Sequence, residues 1–190
     1  MLTLVEKIKT RVPNIKVGAG TDPASEMGPL ISREHRDKVA GYVTGAAKEG
    51  ATVVLDGTDK AKDEGFFLNP SLIDHVKPGM KCYDEEIFGP VLAFTTFKDE
   101  EEAVKIANDT IYGLGAGVWT RDAHQLYTVP RQIQAGRIWV NQYHSYPAGA
   151  PFGGYKQSGI GRENHKMMLH HYQQTKNLLV SYNPNALGFF

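Results

Sequence analysis

Between residues 91 and 141 the chain alternates apolar segments with amphipathic ones, and this alternation restricts the fold more than any other feature. Apolar strands are predicted at 91–97, 115–119 and 137–141, with helices at 100–108 and 122–134 between them. Strands and helices that alternate at these spacings form βαβ units, in which right-handed crossovers join parallel strands. The strands are almost continuously apolar, which is typical of burial on both faces. We therefore predict an α/β fold with a mainly parallel sheet.

Upstream of this region the patterns predict a helix and two short strands. The helix covers 32–48, and Ser32 immediately before its first turn is a suitable N-cap. One strand is predicted at 51–55 and another at 66–73. The second is interrupted because Pro70 cannot donate a hydrogen bond to a ladder.

Downstream, the patterns predict a helix at 163–172 and a final extended strand at 175–182.

Pro130 departs from the expected pattern, because it falls inside the helix predicted at 122–134, where it removes a hydrogen bond. No function is assigned to it.

The composition indicates a globular protein and excludes several partners. Lys plus Arg and Asp plus Glu each number 21 among 190 residues, and no basic run suggests nucleic acid. No apolar run approaches the roughly 18 residues that a membrane span requires. The single cysteine, Cys82, excludes an internal disulfide and fits a reducing compartment, so we expect a cytoplasmic protein.

Two residue types that often carry chemistry are not expected to do so here. Cys82 reads as a small buried thiol, since a free cysteine usually behaves as a small hydrophobe. His165 and His170 are five residues apart, a spacing that does not bring both to one helical face, so no metal site is predicted at them or at His171.

The acidic segment EEIFGPV at 85–91 is the first candidate binding site. In an extended segment, side chains two residues apart share a face, so Glu86 and Phe88 would project together. The carboxylate can accept hydrogen bonds from both hydroxyls of a ribose, and the ring can pack against an aromatic cofactor. The alternative is a solvent-exposed acidic turn before a strand.

Several segments along nearly the whole chain together resemble the carboxyl-terminal portion of NAD(P)-dependent aldehyde dehydrogenases. They occur in the family's order: EEIFGPV at 85–91, the helix at 100–108, YGL at 112–114, GRIWVN at 136–141 and PFGGYKQSG at 151–159. SGIGRE at 158–163 and HHYQQTK at 170–176 look most like the bacterial branch that acts on acetaldehyde and other small aldehydes. The resemblance implies oxidation of a small aldehyde to its carboxylic acid with NAD (or NADP).

The resemblance also implies roles for individual residues on the cofactor side. By position, Glu86 would bind the nicotinamide ribose and Phe88 would line the nicotinamide. The family's nucleophilic cysteine, its general base and its phosphate-binding loop have no counterpart in these residues. No catalytic residue is therefore predicted, cofactor binding by this chain alone is doubtful, and we expect the isolated chain to be inactive.

On the substrate side, the resemblance makes Tyr146 and Phe152 aromatic walls of the substrate tunnel. His144 and Ser145 would lie near its floor, and Asn141 would be a structural polar residue at the end of a strand. The alternative for the aromatic side chains is ordinary core packing, because aromatic residues are common in cores as well as in pockets.

The resemblance divides the chain into a catalytic-domain portion at 1–172 and an oligomerisation strand and tail at 173–190. In the family, the segment corresponding to 176–182 pairs in a sheet between subunits, so a homo-oligomer or a longer homologue is the expected partner. An unpaired apolar strand is a template for association, although edge strands are also tolerated without it. The alternative function is therefore a non-catalytic assembly module that pairs with a longer homologue or an amino-terminal partner.

Overall fold

The computed structural model describes residues 2–59, 65–186 and 188. The chain divides into two compact units, Met1–Lys98 and Asp99–Phe190. Within the described residues, no helix combines the length and the apolar character needed to cross a membrane.

Two helices open the first unit. Helix α1 spans Leu2–Arg11 and runs into a 3-10 turn at Val12–Asn14, and helix α2 spans Arg33–Lys48. The predicted N-cap is confirmed, because the Ser32 hydroxyl accepts the backbone N–H of His35 at 3.1 Å. The apolar face of α2 is buried at Val39, Tyr42, Val43 and Ala46.

The sheet of the first unit contains three strands in the order β1-β2-β3. Strand β1, Thr52–Leu55, pairs antiparallel with β2, Ser71–Asp74, and β2 pairs parallel with β3, Val91–Ala93. The strand predicted at 66–73 is therefore wrong in its first half. It begins only after Pro70, which lacks the N–H that a ladder requires.

The core of the first unit lies between α2 and β2. All four residues of β2 are buried, and the buried hydroxyl of Ser71 accepts the N–H of Gly57 at 3.0 Å. Burying a valine or isoleucine side chain contributes about 1.5–3 kcal/mol. The packing of α2 against β2 therefore stabilises the unit strongly. The core cluster comprises Val43, Ala46, Ala51, Ile73, Val76, Met80 and Cys82.

The second unit is built on one parallel strand pair with a helix in its crossover. Helix α4 spans Glu100–Asn108, strand β4 spans Gly115–Val118, helix α5 spans Gln125–Gln132 and strand β5 spans Arg137–Val140. Strands β4 and β5 pair in parallel along all four residues. The α/β class and this βαβ unit agree with the sequence-based expectation.

Acidic side chains determine where both helices of the second unit begin. The Asp99 carboxylate accepts the N–H of Glu102 at 2.9 Å and so caps α4. The Asp122 carboxylate accepts the N–H of Gln125 at 3.0 Å, and α5 starts there, three residues later than predicted. The backbone hydrogen bonds hold the pKa of Asp122 below its usual range. Pro130 lies inside α5, as the sequence indicated.

The prediction of one parallel sheet containing all three strands between 91 and 141 is wrong. Strand β3 pairs with β2, whereas β4 pairs with β5 in a separate sheet of the described residues. Strand β3 ends at Ala93 and not at 97. Both β3 and β4 include exposed residues, so the prediction that these strands are buried on both faces is also wrong. Pairing partners are chosen by contacts between distant segments, which local periodicity does not encode.

The carboxyl-terminal region differs from the predicted helix at 163–172. Asn164 and His165 have φ angles of 57° and 52°, which interrupt a right-handed helix, and a 3-10 helix forms at Lys166–His171 instead. Residues 173–186 are exposed and form no strand pair with described residues. The strand expected at 176–182 stays a prediction, and positions 187, 189 and 190 of the expected tail lie outside the described residues.

Candidate functional site

The candidate site residues fall into two groups, one in each unit. Glu86 and Phe88 belong to the first unit and follow helix α3, Lys81–Asp84. His144, Ser145, Tyr146 and Phe152 belong to the second unit and follow strand β5.

The segment that carries Glu86 and Phe88 is irregular and makes a sharp turn into β3. It is extended at Glu85, but Phe88 has a φ of 54°, so the extended geometry assumed from the sequence does not hold at that residue. Gly89 then passes so close to α2 that a Cβ there would lie 2.6 Å from a methyl group of Val39. Glycine is therefore required where this segment crosses the helix.

The two adjacent acids of the segment have different roles. The Glu85 carboxylate accepts the hydroxyl hydrogen of Tyr42 at 2.6 Å, which ties the segment to helix α2. Glu86 is exposed, and no hydrogen bond or ion pair with another described residue engages its carboxylate. Glu86 is consequently free to accept hydrogen bonds from a ligand, as a ribose would require.

Phe88 presents an exposed ring that a second element holds in position. The ring is 75% exposed, yet the backbone oxygen of Phe88 lies 2.8 Å from Nε2 of His35 on α2. The two rings also meet edge to face, with centroids 6.1 Å apart and planes 64° apart. An exposed aromatic ring two residues after an exposed carboxylate is compatible with contacts to the nicotinamide riboside half of the cofactor that the resemblance implies.

Cys82 does not have the setting of a reactive thiol. Its side chain belongs to the core of the first unit and is 6% exposed. Burial raises the pKa of the Cys82 thiol, and the negative charges of Glu49 and Asp84 raise it further. The thiolate needed for nucleophilic attack is thus disfavoured at neutral pH.

The second group forms a continuous aromatic cluster. The buried ring of Trp139 contacts Tyr143 and Tyr146, with centroid separations of 5.1 and 5.5 Å. Tyr146 in turn contacts His144 at 4.9 Å and Phe152 at 5.1 Å, both nearly perpendicular to it. Edge-to-face pairs at these distances are favourable. The structure therefore brings three of the four predicted substrate residues into direct contact.

Ser145 takes part through its backbone and not through a side-chain contact in the cluster. Its carbonyl oxygen accepts the indole N–H of Trp139 at 3.0 Å and a guanidinium N–H of Arg137 at 3.4 Å. The same guanidinium donates to the carbonyl oxygen of Pro151 at 3.1 Å. Strand β5 therefore anchors the loop 144–152 near both of its ends, at Ser145 and at Pro151.

The glycine-rich loop 151–159 is fixed to the rest of the second unit. Lys156 donates to the carbonyl oxygens of Asn108 and Thr110 at 2.8 and 2.9 Å. Gly136 passes so close to Gly153 that a Cβ at Gly136 would overlap the backbone oxygen of Gly153. Glycine is therefore required at position 136, where the chain passes Gly153 of the loop.

Asn141 has the structural role that the resemblance implied. Its side-chain amide donates to the carbonyl oxygen of Thr120 at 2.9 Å and accepts the N–H of Thr120 at 3.0 Å. This reciprocal pair joins the ends of β4 and β5.

Sequence reasoning missed three residues of these groups: His35, Arg137 and Tyr143. His35 gave no sequence signal, because its contact with Phe88 spans 53 positions. Arg137 did offer one, since it is a charged residue at the start of an otherwise apolar strand.

Among the described residues, no three His, Cys, Asp or Glu side chains are grouped so that they could hold a metal ion.

Comparison with known proteins identifies the family. The sequence model of the aldehyde dehydrogenase family matches residues 2–178. An aldehyde dehydrogenase of Deinococcus radiodurans is 55% identical over 98% of this chain and 36% of its own length. Acetaldehyde dehydrogenase 2 of Cupriavidus necator is 54% identical over 98% of this chain and 37% of its own length.

Solved structures give the same result. Betaine aldehyde dehydrogenase from Staphylococcus aureus in complex with NAD+ matches 99% of this chain and 38% of its own, with a TM-score of 0.89 and 39% identity. The NAD+ complex of an aldehyde dehydrogenase from Bacillus cereus matches 96% of this chain and 37% of its own, with a TM-score of 0.89 and 40% identity.

The chain spans little more than a third of the length of these relatives. The assignment to their carboxyl-terminal portion stays a prediction that rests on the order of the motifs. The family match over nearly the whole chain confirms the resemblance. The chain belongs to the aldehyde dehydrogenase family.

Proposed function

We propose that this chain is part of an aldehyde dehydrogenase that oxidises a small aldehyde to its carboxylic acid with NAD(P)+. Within that enzyme it supplies contacts to the nicotinamide riboside and walls of the substrate site, while the reactive nucleophile and base come from the rest of the protein. The observation that carries the proposal is that the exposed Phe88 ring follows, two positions later in the same segment, the exposed Glu86 carboxylate, which has no partner among the described residues.

The cofactor contacts follow from the chemistry of these two side chains. NAD(P)+ supplies the hydride acceptor when it is bound. Glu86 accepts hydrogen bonds from the ribose hydroxyls, which fixes the orientation of the sugar, and bonds to a carboxylate are about twice as strong as neutral ones. Phe88 packs against the nicotinamide ring and excludes water from one side of it.

The substrate contacts are assigned to the aromatic cluster of the second unit. Tyr146 and Phe152 line the tunnel, and His144 and Ser145 lie near its floor. Because the rings pack edge to face against one another, we expect them to favour a small aliphatic or aromatic aldehyde over a long chain.

The isolated chain is proposed to be inactive. Oxidation of an aldehyde by hydride transfer in this family needs a thiolate that first adds to the carbonyl carbon, and the only cysteine of the chain, Cys82, is buried with a raised pKa. Loss of a covalent nucleophile typically lowers turnover by several orders of magnitude.

Saturation-transfer NMR with millimolar NAD+ tests the cofactor assignment on the purified chain, because it detects weak binding. We expect transfer to the nicotinamide protons, loss of that transfer in Phe88→Ala and weakening in Glu86→Gln. Phe97→Ala is the matched control, since Phe97 is also an exposed phenylalanine of the first unit. Equal transfer in Phe88→Ala and the unaltered chain would contradict the assignment.

An activity assay tests the second part of the proposal. The purified chain is incubated with acetaldehyde and NAD+, and NADH is followed by absorbance. We expect no NADH above the rate without protein. NADH formation that disappears in Cys82→Ala would show that the chain is a complete catalyst. It would overturn the proposal that the nucleophile and base come from the rest of the protein.

A second candidate function is a non-catalytic assembly module, and the exposed tail favours it. Leu178, Leu179 and Val180 are 80%, 87% and 62% exposed in a segment that pairs with no described strand. Such a segment can add to the sheet edge of another chain. Light scattering of the chain mixed with a full-length relative tests this, with Leu179→Lys as the variant expected to abolish a complex. The absence of any complex or self-association would reject it.

A further inference from the structure

The strongest feature that the motif comparison does not explain is a single guanidinium that meets several parts of the loop 144–152. Arg137 donates to the carbonyl oxygens of Ser145 and Ala150, each at 3.4 Å, and of Pro151 at 3.1 Å. Its guanidinium carbon also lies 5.6 Å from the centre of the Tyr146 ring and 5.8 Å from that of Phe152. Both distances are within the range of a cation–π contact.

We propose that Arg137 is the positioning residue of the substrate wall: it holds the backbone of the loop 144–152 and orients the rings of Tyr146 and Phe152. This inference rests on the proposed function for its connection to the aldehyde. The arrangement of the loop itself does not depend on that function.

The geometry requires arginine in particular. Three carbonyl oxygens approach the group from both ends of the loop, and the planar guanidinium carries five N–H donors in a fixed fork. An ammonium group has a more compact charge and cannot reach oxygens on both sides while it also lies against two rings. A neutral side chain would lose the cation–π contacts as well.

The position of Arg137 in the fold suits this role. It is the first residue of β5, pairs with Gly115 of β4, and its backbone N–H donates to the carbonyl oxygen of Leu114 at 3.2 Å. The loop is thus held from a strand whose own place is set by its sheet. Trp139, two residues further along the same strand, donates to the same Ser145 oxygen.

A second arginine provides a comparison within the same unit. Arg162 donates to the carbonyl oxygens of Gly154 and Gly161 at 2.9 and 2.8 Å, and its guanidinium lies 5.7 Å from the centre of the Tyr155 ring. It therefore holds the neighbouring loop 153–161 and not the candidate substrate wall. Loss of each arginine should loosen a different segment.

Hydrogen exchange followed by mass spectrometry on the purified 190-residue chain tests the positioning role. In Arg137→Gln we expect exchange of peptides covering 145–152 to rise at least about tenfold, because each lost hydrogen bond corresponds to a factor of about five. In Arg162→Gln the increase in exchange should instead occur in peptides covering 153–161. Arg131→Gln, at an exposed arginine of α5, should change neither segment.

Arg137→Lys keeps the charge and the apolar stem, so it guards against a variant that simply fails to fold. We expect it to retain the melting temperature of the chain within a few degrees but to lose most of the protection of the Ala150 N–H, which donates to the carbonyl oxygen of Pro147 at 3.0 Å. Protection equal to that of the unaltered chain in Arg137→Lys, or a uniform rise across the second unit in Arg137→Gln, would overturn the positioning role.

Saturation-transfer NMR with benzaldehyde tests the connection to the substrate separately. We expect transfer from the unaltered chain and from Arg131→Gln, and at least about a threefold loss in Arg137→Lys, as for one weakened polar contact. If exchange changes as expected but the unaltered chain shows no transfer, the loop is positioned by Arg137 and the aldehyde assignment is wrong. If transfer is unaffected by Arg137→Lys, the inference about the substrate wall is wrong.

Discussion

The Nε2 atom of His35 lies 2.8 Å from the backbone oxygen of Phe88, so the first turn of helix α2 holds a residue that is 53 positions away in the sequence. The contact stabilises Phe88 in a left-handed backbone conformation that costs a bulky residue roughly 1–2 kcal/mol. An exposed ring is thereby kept in one orientation before any ligand binds, which lowers the entropy that binding must overcome.

Replacement of His35 by alanine should therefore destabilise the first unit slightly and free the segment 85–91. We expect the free energy of unfolding to fall by about 1 kcal/mol, the usual value of one hydrogen bond to a backbone carbonyl. Urea unfolding measures the change. His35→Gln, which retains a side-chain N–H donor, should recover at least half of it, and equal losses in both variants would contradict the role of the donor.

The hydrogen bond between Tyr42 and Glu85 gives a second prediction. Tyr42→Phe removes a 2.6 Å bond to a carboxylate but leaves the ring that packs in the core. We expect a loss of about 1 kcal/mol in urea unfolding, less than is usual for a bond to a charged group because Glu85 is exposed. Glu86→Gln, at the adjacent but unpaired acid, is the control and should leave stability unchanged.

Gly136→Ala should be among the most damaging single changes in the second unit. An added methyl group would overlap the backbone oxygen of Gly153, and backbone cannot move aside as a flexible side chain can. We expect a loss of about 3 kcal/mol or failure to fold. Gly149→Ala is the matched control, since nothing lies within 4 Å of its Cβ position, and it should be nearly neutral in thermal unfolding.

Alkylation of Cys82 should be slow at neutral pH and should rise with pH. Burial and two nearby carboxylates raise the pKa of the thiol, so the reactive thiolate forms only at a more alkaline pH than in an unfolded chain. Mass spectrometry after iodoacetamide treatment measures the rate, with the urea-unfolded chain as the reference. Rapid stoichiometric labelling of the folded chain at neutral pH would disagree with the observed burial.

Several local features were predictable because their causes lie within a few residues of one another. The caps at Ser32 and Asp99 need only a side-chain oxygen and an N–H three residues later, and the buried face of α2 follows from helical spacing. The parallel pair β4–β5 with its intervening helix is likewise a short-range βαβ unit.

The features that failed or were missed depend on segments far apart in the chain. Strand β3 joined β2 and not β4, and the φ of Phe88 is supported by His35 across the unit. The helix expected at 163–172 was interrupted at Asn164 and His165, which local spacing gave no reason to expect.

By itself the sequence determined the family, the α/β class and the helix caps, because motif order and local hydrogen bonding depend on residues that are close together along the chain. Only the tertiary structure decided which acid of the 85–91 segment is free, and that Arg137 holds the loop carrying Tyr146. Those outcomes depend on which of several distant donors and acceptors pair with one another. The spacing of residues along the chain does not contain that information.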